Sequence, residues 1–516
     1  MHLHQAISLS LLSSLAAASG PAPTPEEWIV GQPVNTTSGR LTGHSSPWKP
    51  LVSEYLGVRF AKPPTGALRF APPEPFSSDD DFEAASFSSS CPSVNLHPEN
   101  STVGYGSPRE THYDGLQQLG ETFGEDCLAL NVWTKPQSGE IKKAVLVWIY
   151  GGSFTGGSST WPLYNGAHLA DEHDVVVVSI NYRLTIFGFP LAEAFDIKNP
   201  GLLDMRLAIE WVRDNIEQFG GDPSRITLAG QSAGAGAIDN YAFIYPGDPI
   251  AHAIITQSGN SIGGSGPPEA GTQGWLRAAA ELGCPTDDDE KVLECMREQT
   301  WQDLAAVAAK AVTWEHSQAL GVPGFALVAD NRTFFPKAEV IRRMQTGEFA
   351  KLPMLTGYTN NEGGLWEMID EAEGKEAPEE GYGDRNLLFR CGQVVASLAR
   401  SAHGVPIWVY EYAGEFPNVD VGVEGAWHGA EIPMVFGTTE LTFRRANTAP
   451  QKELIGYMGK AWTDFAKDPL RALPRLGWQP AAVSFPRLGG DNSSAIVFEN
   501  STRLAVGCDA LLGGII

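Results

Sequence analysis

The residue of this chain best placed to act as a nucleophile is the serine in Gly230-Gln231-Ser232-Ala233-Gly234. An apolar run, Ile226 to Ala229, precedes it and small residues follow. That is the composition of a strand that turns sharply into a helix and leaves a serine hydroxyl clear at the turn. The pentapeptide alone equally describes a solvated serine in a Gly-rich turn. The same pattern recurs at Gly259-Asn260-Ser261-Ile262-Gly263, but that copy runs into Gly264-Ser265-Gly266-Pro267-Pro268, which cannot start a helix at once. Ser261 therefore reads as loop.

A nucleophilic serine needs a base, an acid that orients the base, and donors for the charge that develops on the attacked oxygen. Four histidines follow Ser232. His252 and His403 precede apolar runs that read as strands, so both fall at the wrong edge of a parallel sheet, and His316 sits in a helical segment. His428 follows the strand-like run Pro406 to Tyr412, at the carboxyl edge where such sheets hold their ligands, and is the expected base. Among the carboxylates between Ser232 and His428, Glu362 lies just past the run Met354 to Gly357, in a turn whose glycines let backbone pack against an imidazole. Its plain alternative is a solvated turn residue. Gly151-Gly152-Ser153 follows another apolar run, and successive amides there, with the N–H of Ala233, can hold an oxyanion. The plain alternative here is a Gly-rich turn.

The elements that must carry these residues are legible from periodicity. Ala144 to Tyr150 and Val175 to Ile180 are apolar throughout, as strands covered on both faces should be. Leu202 to Phe219 has helical spacing, and Glu125 to Trp133 alternates like a half-buried strand. His252 to Thr256, Met354 to Gly357 and Pro406 to Tyr412 read as further strands. Helical patterns lie around Trp275 to Leu282, Asp288 to Met296, Asp303 to Ala311, Lys337 to Met344 and Lys452 to Asp464. Strands alternating with helices predict an α/β fold: a large, mainly parallel central sheet with helices on both faces. Glu371 to Glu380 reads as a solvated face or an insertion, and Cys91 to Cys127 encloses a long segment without evident structure.

Composition narrows the partners. The formal net charge of −25 argues against nucleic acid and anionic membrane surfaces, because phosphate binding needs clustered Lys and Arg. Ala6 to Ala18 is a short Leu/Ala/Ser-rich run followed by small residues, so residues 1–20 read as a secretory signal and 21–516 as one domain. No later apolar run reaches the ~18 residues of a membrane span. Sequons at Asn35, Asn100, Asn331, Asn492 and Asn500, together with six cysteines, suit the secretory route to the extracellular space.

With these residues in view the chain resembles the type-B carboxylesterase/lipase family, which has the α/β-hydrolase fold and includes secreted fungal members and cholinesterases. The matching segments are Phe60 to Phe70 (Phe-Ala-Lys-Pro-Pro-Thr-Gly-Ala-Leu-Arg-Phe), Glu125 to Trp133, Trp148 to Gly157, Asn181-Tyr182-Arg183 and Asn199 to Leu202. Phe219 to Pro223, Gly230 to Ala235, Gln257-Ser258-Gly259, Glu362-Gly363 and His428 follow in family order. The resemblance implies Ser232 as nucleophile, Glu362 as acid, His428 as base, and Gly152, Ser153 and Ala233 as oxyanion donors. It implies a supporting role for Ser258 behind the triad, and pairings Cys91–Cys127, Cys284–Cys295 and Cys391–Cys508 among the 15 that six cysteines allow. No cofactor or metal is implied. Two positions depart from the family: Gln231 stands where a glutamate is usual, and Ser153 where a third glycine is usual.

The expected activity is hydrolysis of small-molecule or lipid carboxylic esters through an acyl-enzyme. The rivals are an interfacial triglyceride lipase and a non-catalytic adhesion or binding homologue; the sequence leaves oligomeric state open. Within the Cys91–Cys127 segment a lipase lid would carry an apolar stripe. Tyr113, Leu116, Leu119 and Phe123 offer only mixed spacing between Gly115 and Gly120, and each glycine costs about 1 kcal/mol in a helix. A stable amphipathic lid is not expected, which favours dissolved esters of short or medium chains. The segment also lacks a tryptophan, the best cation–π partner for a choline ester.

Overall fold

The structure, a computed structural model, describes residues 27–95, 97, 101–192, 195–262, 268–313, 324–378 and 381–508. The proposed signal segment, Asn100 and His316 lie outside the described residues.

Eleven strands form one mixed sheet. In chain order they are β1 (His44–Ser45), β2 (Ser53–Arg59), β3 (Ala129–Thr134), β4 (Lys143–Ile149), β5 (Val176–Ile180) and β6 (Gly221–Gln231). They continue as β7 (Ala253–Gln257), β8 (Met354–Thr359), β9 (Ile407–Tyr412), β10 (Ser484–Leu488) and β11 (Val497–Asn500). Their spatial order is β11-β10-β9-β8-β7-β6-β4-β5-β3-β2-β1. From β10 through β5 every neighbouring pair is parallel, while the flanks, β10 with β11 and β5 through β1, pair antiparallel. Every residue of β3, β4, β5, β7, β8 and β9 is buried, so both faces of the central sheet are covered. This is why β4 and β5 read as unbroken apolar runs, whereas β3, read as half-buried, is covered on both faces as well. A separate three-stranded sheet joins Val34–Thr36, Gly39–Thr42 and Asp81–Glu83. No helix among the described residues is long and apolar enough to cross a membrane.

Among the described residues, three helices longer than two turns escape the periodicity reading. Within the Cys91–Cys127 segment, α1 (Pro108–Leu116) forms despite Gly115. Ser107 caps it, its hydroxyl accepting the Glu110 N–H at 3.0 Å, with proline at the first position. Ser-Pro-x-Glu is a start signal present in the sequence. Gly115 is needed there, since a Cβ would lie 2.5 Å from the Trp161 ring. The segment read as lacking evident structure therefore holds a helix, whose buried residues are Thr111, His112 and Gly115, with Tyr113 and Leu116 partly buried against the core. α4 (Gly364–Ala372) and α5 (Gly383–Ala402) flank the acidic stretch read as an insertion, of which residues 371–378 are exposed. α5 buries Gln393, Ser397 and Arg400 beside Val394 and Val395, and those polar core positions break the apolar count.

The helices that bear on the site are completed by α2 (Pro200–Asn215), α3 (Ala233–Ile244) and α6 (Ala449–Lys467), which sit as expected, with α2 placed between and α3 directly after their strands. The three disulfides are Cys91–Cys127, Cys284–Cys295 and Cys391–Cys508. The asparagines of the four described sequons, Asn35, Asn331, Asn492 and Asn500, are all exposed.

Candidate active site

Because β4, β6, β8 and β9 run parallel, their carboxyl ends meet at one edge. β6 ends at Gln231 and α3 starts at Ala233, leaving Ser232 alone to make the turn, with φ 54° and ψ −122°. A left-handed φ is costly for a residue with a Cβ. It is imposed by two close approaches: a Cβ on Gly230 would lie 2.6 Å from the Ile149 carbonyl oxygen, and one on Gly234 2.1 Å from the same atom. Both glycines of the pentapeptide are thus required by contact with β4. The second pentapeptide does other work. Ser261 is a buried turn residue whose N–H and hydroxyl donate to Asp239 at 2.8 and 2.5 Å.

Past β8, Glu362 is fully buried and spends its carboxylate on three donors. Oε1 accepts the Ser258 hydroxyl at 2.7 Å and the Thr359 N–H at 2.8 Å, and Oε2 lies 2.5 Å from His428 Nδ1. The solvated-turn alternative for Glu362 is therefore removed. His428 comes from the long connection after β9, and the Glu362 turn holds that connection in place. Asn361 N–H donates to the Ala426 carbonyl at 3.0 Å, Asn361 Nδ2 to Glu424 at 2.6 Å, and Ala426 N–H to Asn360 Oδ1 at 2.7 Å. His428 Nε2 is buried without a hydrogen-bond partner among the described residues. The ring lies against Phe389 and Trp366, with centroids at 4.5 and 5.3 Å.

Ser232 and His428 line one cavity of about 1080 Å³, counting its open mouth, together with Gly152, Ser153 and Gln231. Thr155 and Gly156 both donate to the Gly152 carbonyl, at 3.0 and 3.1 Å, and tie the glycine loop. Ser153 takes φ 55°, the left-handed region that glycine would occupy without cost. Ala233, first in its helix, has no intrahelical acceptor for its N–H. Glu362 and Ser258 do not reach the cavity; they stand behind His428. The Gln231 amide is wedged between Gly151 and Gly429, next to the histidine, with Nε2 unpartnered among the described residues. The other histidines sit elsewhere: His252 contacts the Ala466 carbonyl at 2.9 Å and His403 the Met344 carbonyl at 3.0 Å.

The sequence reading missed several groups. Trp161, Trp366 and Trp427 line the cavity from outside the Cys91–Cys127 segment, so the absence of a tryptophan in that segment does not deprive the site of indole faces. His112, on α1, lines it too; it is buried, and burial pushes its imidazole down to about 3. Glu431, three residues after His428, is fully buried and accepts from Gln257 Nε2 at 3.0 Å and the Tyr410 hydroxyl at 3.3 Å. Its signal was a lone carboxylate in the apolar run Ala430 to Phe436.

Burial first, and the charge of Glu362 second, raise the Glu431 carboxyl to about 7. An acid raised in the folded state is held protonated there while its unfolded counterpart ionises near 4.5. Its stabilising contribution is complete below about pH 4.5 and is lost as pH rises through about 7. At 1.36 kcal/mol per unit that loss approaches about 3 kcal/mol. Glu431→Gln should flatten the fall in unfolding free energy between pH 4.5 and 8 in denaturant titrations. An unchanged pH slope would exclude Glu431 as its source.

A profile of the carboxylesterase family matches residues 31–387. Secreted lipase 5 of Gibberella zeae is 31% identical over 90% of this chain and 91% of its own length. A chlorogenic acid esterase of Aspergillus niger is 33% identical over 91% of this chain and 89% of its own. The acetylcholinesterase of Electrophorus electricus is 34% identical over 60% of this chain and 48% of its own. A match of this extent, on a mixed sheet whose parallel strands gather a serine elbow, a histidine and a buried glutamate at one edge, leaves one conclusion: the chain belongs to the carboxylesterase family of carboxylic-ester hydrolases.

Proposed function

We propose that this protein is a secreted esterase that cleaves dissolved esters through an acyl-enzyme on Ser232. The observation that carries the reading is the His428 ring, with Nδ1 bonded to a buried Glu362 and Nε2 unpartnered in the cavity that Ser232 lines. Glu362 holds the tautomer in which Nε2 is the free base. His428 Nε2 takes the Ser232 proton as Oγ attacks the ester carbonyl. The N–H groups of Gly152, Ser153 and Ala233 hold the oxyanion, each worth about 3 kcal/mol in the transition state. The alcohol leaves with the proton from His428, and water repeats the sequence on the acyl-enzyme. Ser258 keeps the Glu362 carboxylate in line. Secretion is supported by the signal-like segment, the three disulfides and the name of the secreted lipase relative.

Preference for dissolved esters over an oil interface rests on α1. The helix lines the cavity with His112, Gly115 and a single aliphatic side chain, Leu116, and is tied down by Arg109, which donates to Glu371 at 2.7 Å. A lid built to open onto oil would present an apolar face. Hydrolysis of butyrate and long-chain triglyceride esters should show no rate jump as each crosses its solubility limit. A sharp rise at emulsion formation would establish the interfacial lipase instead.

Gln231 is neutral beside His428, where a carboxylate would favour imidazolium. Gln231→Glu should move the acid limb of the kcat/KM profile to higher pH by about one unit. An unmoved limb would count against electrostatic contact between the two.

A further inference from the structure

His112 is not used by the proposed reaction, yet its surroundings are those of a binding group. It projects from α1 into the cavity wall, 2% exposed. Its ring centroid lies 4.0 Å from that of Trp427, 5.5 Å from Trp161 in a stacked arrangement, and 6.5 Å from Phe443. Neither ring nitrogen has a hydrogen-bond partner among the described residues. A histidine kept only for packing ordinarily spends a ring nitrogen on a carbonyl, as His252 does on Ala466 and His403 on Met344 in this chain. Leaving a buried donor and acceptor unmet is costly, and such groups are kept where a ligand meets them.

We propose that His112 is a specificity-determining residue that hydrogen-bonds a hydroxyl on a ring-bearing part of the substrate, so that esters of hydroxylated aromatic acids or alcohols are the preferred class. The proposal rests on the Ser232 cavity being where esters are cleaved. Three features select this chemistry. Burial keeps the imidazole neutral, with one donor and one acceptor nitrogen, and a hydroxyl offers the same pair. An ammonium brings only donors and a carboxylate only acceptors, and the described lining of the cavity holds no Lys, Arg, Asp or Glu to neutralise either. Trp161, Trp366 and Trp427 line the cavity with indole surface against which an aromatic ring packs. Trp427, whose ring centroid is 4.0 Å from that of His112, directly precedes His428, and both histidines line the same cavity.

The test is a ratio. Turnover of methyl cinnamate is compared with its meta- and para-hydroxy forms, which places the ring on the acyl side. Benzyl acetate and its hydroxybenzyl counterparts place it on the alcohol side. In the unaltered protein at least one hydroxylated ester should exceed its parent in kcat/KM by about tenfold, the worth of one good hydrogen bond. His112→Phe should bring that ratio to within about twofold of unity. A merely structural role would lower both esters alike and leave the ratio standing. Should the phenylalanine variant not fold, as judged by its thermal transition, His112→Met reads the same ratio. Ratios near one in both arms of the unaltered protein, or a ratio that survives loss of the imidazole, would overturn the proposal. Either result with brisk turnover of the unhydroxylated parents leaves the Ser232 reading intact, whereas retained turnover in Ser232→Ala would remove the reading beneath it.

Discussion

Ser232→Ala and His428→Ala should each lower kcat/KM for p-nitrophenyl butyrate by about 10⁴- to 10⁶-fold, and by similar amounts, because groups that act as a unit are not additive. The double variant should be no worse than either single one. Glu362→Gln should cost about 10⁴-fold, since an amide bonded to Nδ1 permits the wrong imidazole tautomer. The folded state should survive the Ser232 change, because Ser232 is held by backbone: its N–H donates to the Gln257 carbonyl at 2.8 Å and its carbonyl accepts the Gly236 N–H at 2.9 Å. A fluorophosphonate should label the unaltered protein and not Ser232→Ala. Full activity in Ser232→Ala, or loss confined to Ser261→Ala, would refute the elbow assignment; absence of labelling in the unaltered protein would favour a non-catalytic homologue.

Asp239→Ala should destabilise the protein by about 3–5 kcal/mol, the usual cost of leaving a buried charge without its partner. Asp239 lies on α3 below Ser232, and Arg400 reaches it from α5; both side chains are almost fully buried. The Arg400 guanidinium also faces Phe243 and Phe349, 5.8 and 5.5 Å from their centroids, and these rings offer no acceptor to replace the carboxylate. Asp239 additionally accepts both Ser261 donors. Replacing the pair together, as Asp239→Leu with Arg400→Met, should recover most of the loss, because the desolvation of both charges is then relieved. Equilibrium unfolding in urea measures each term. A single-variant loss below about 1 kcal/mol, or a double variant as unstable as Asp239→Ala, would show that the pair does not carry this part of the fold.

The pair also explains why two Gly-x-Ser-x-Gly segments coexist in one chain. Ser232 has glycines on both sides pressed against β4, whereas Ser261 has a carboxylate to satisfy. Local composition hinted at the difference, since Gly264 to Pro268 cannot begin a helix at once. The partner of Ser261 was beyond reach, because Asp239 is on another element and nothing near Ser261 names it.

What the sequence determined by itself is the central sheet and the order of the chemical groups along it. Strands covered on both faces must be apolar at every position, so β4, β5 and the end of β6 could be read directly, and parallel connections send all their carboxyl ends to one edge. The helices around the site were less legible. α1 and α5 bury histidine, glycine, glutamine and arginine, and a buried polar residue contributes nothing to an apolar period. Tertiary structure alone decided which distant groups meet: Asn361 holding the His428 connection, Glu431 bonded to Gln257 and Tyr410, and His112 against Trp161 and Trp427. Each of these rests on a directional contact between segments far apart in the chain. Such contacts are specified by the packing of whole elements, whereas periodicity records only whether a residue faces water.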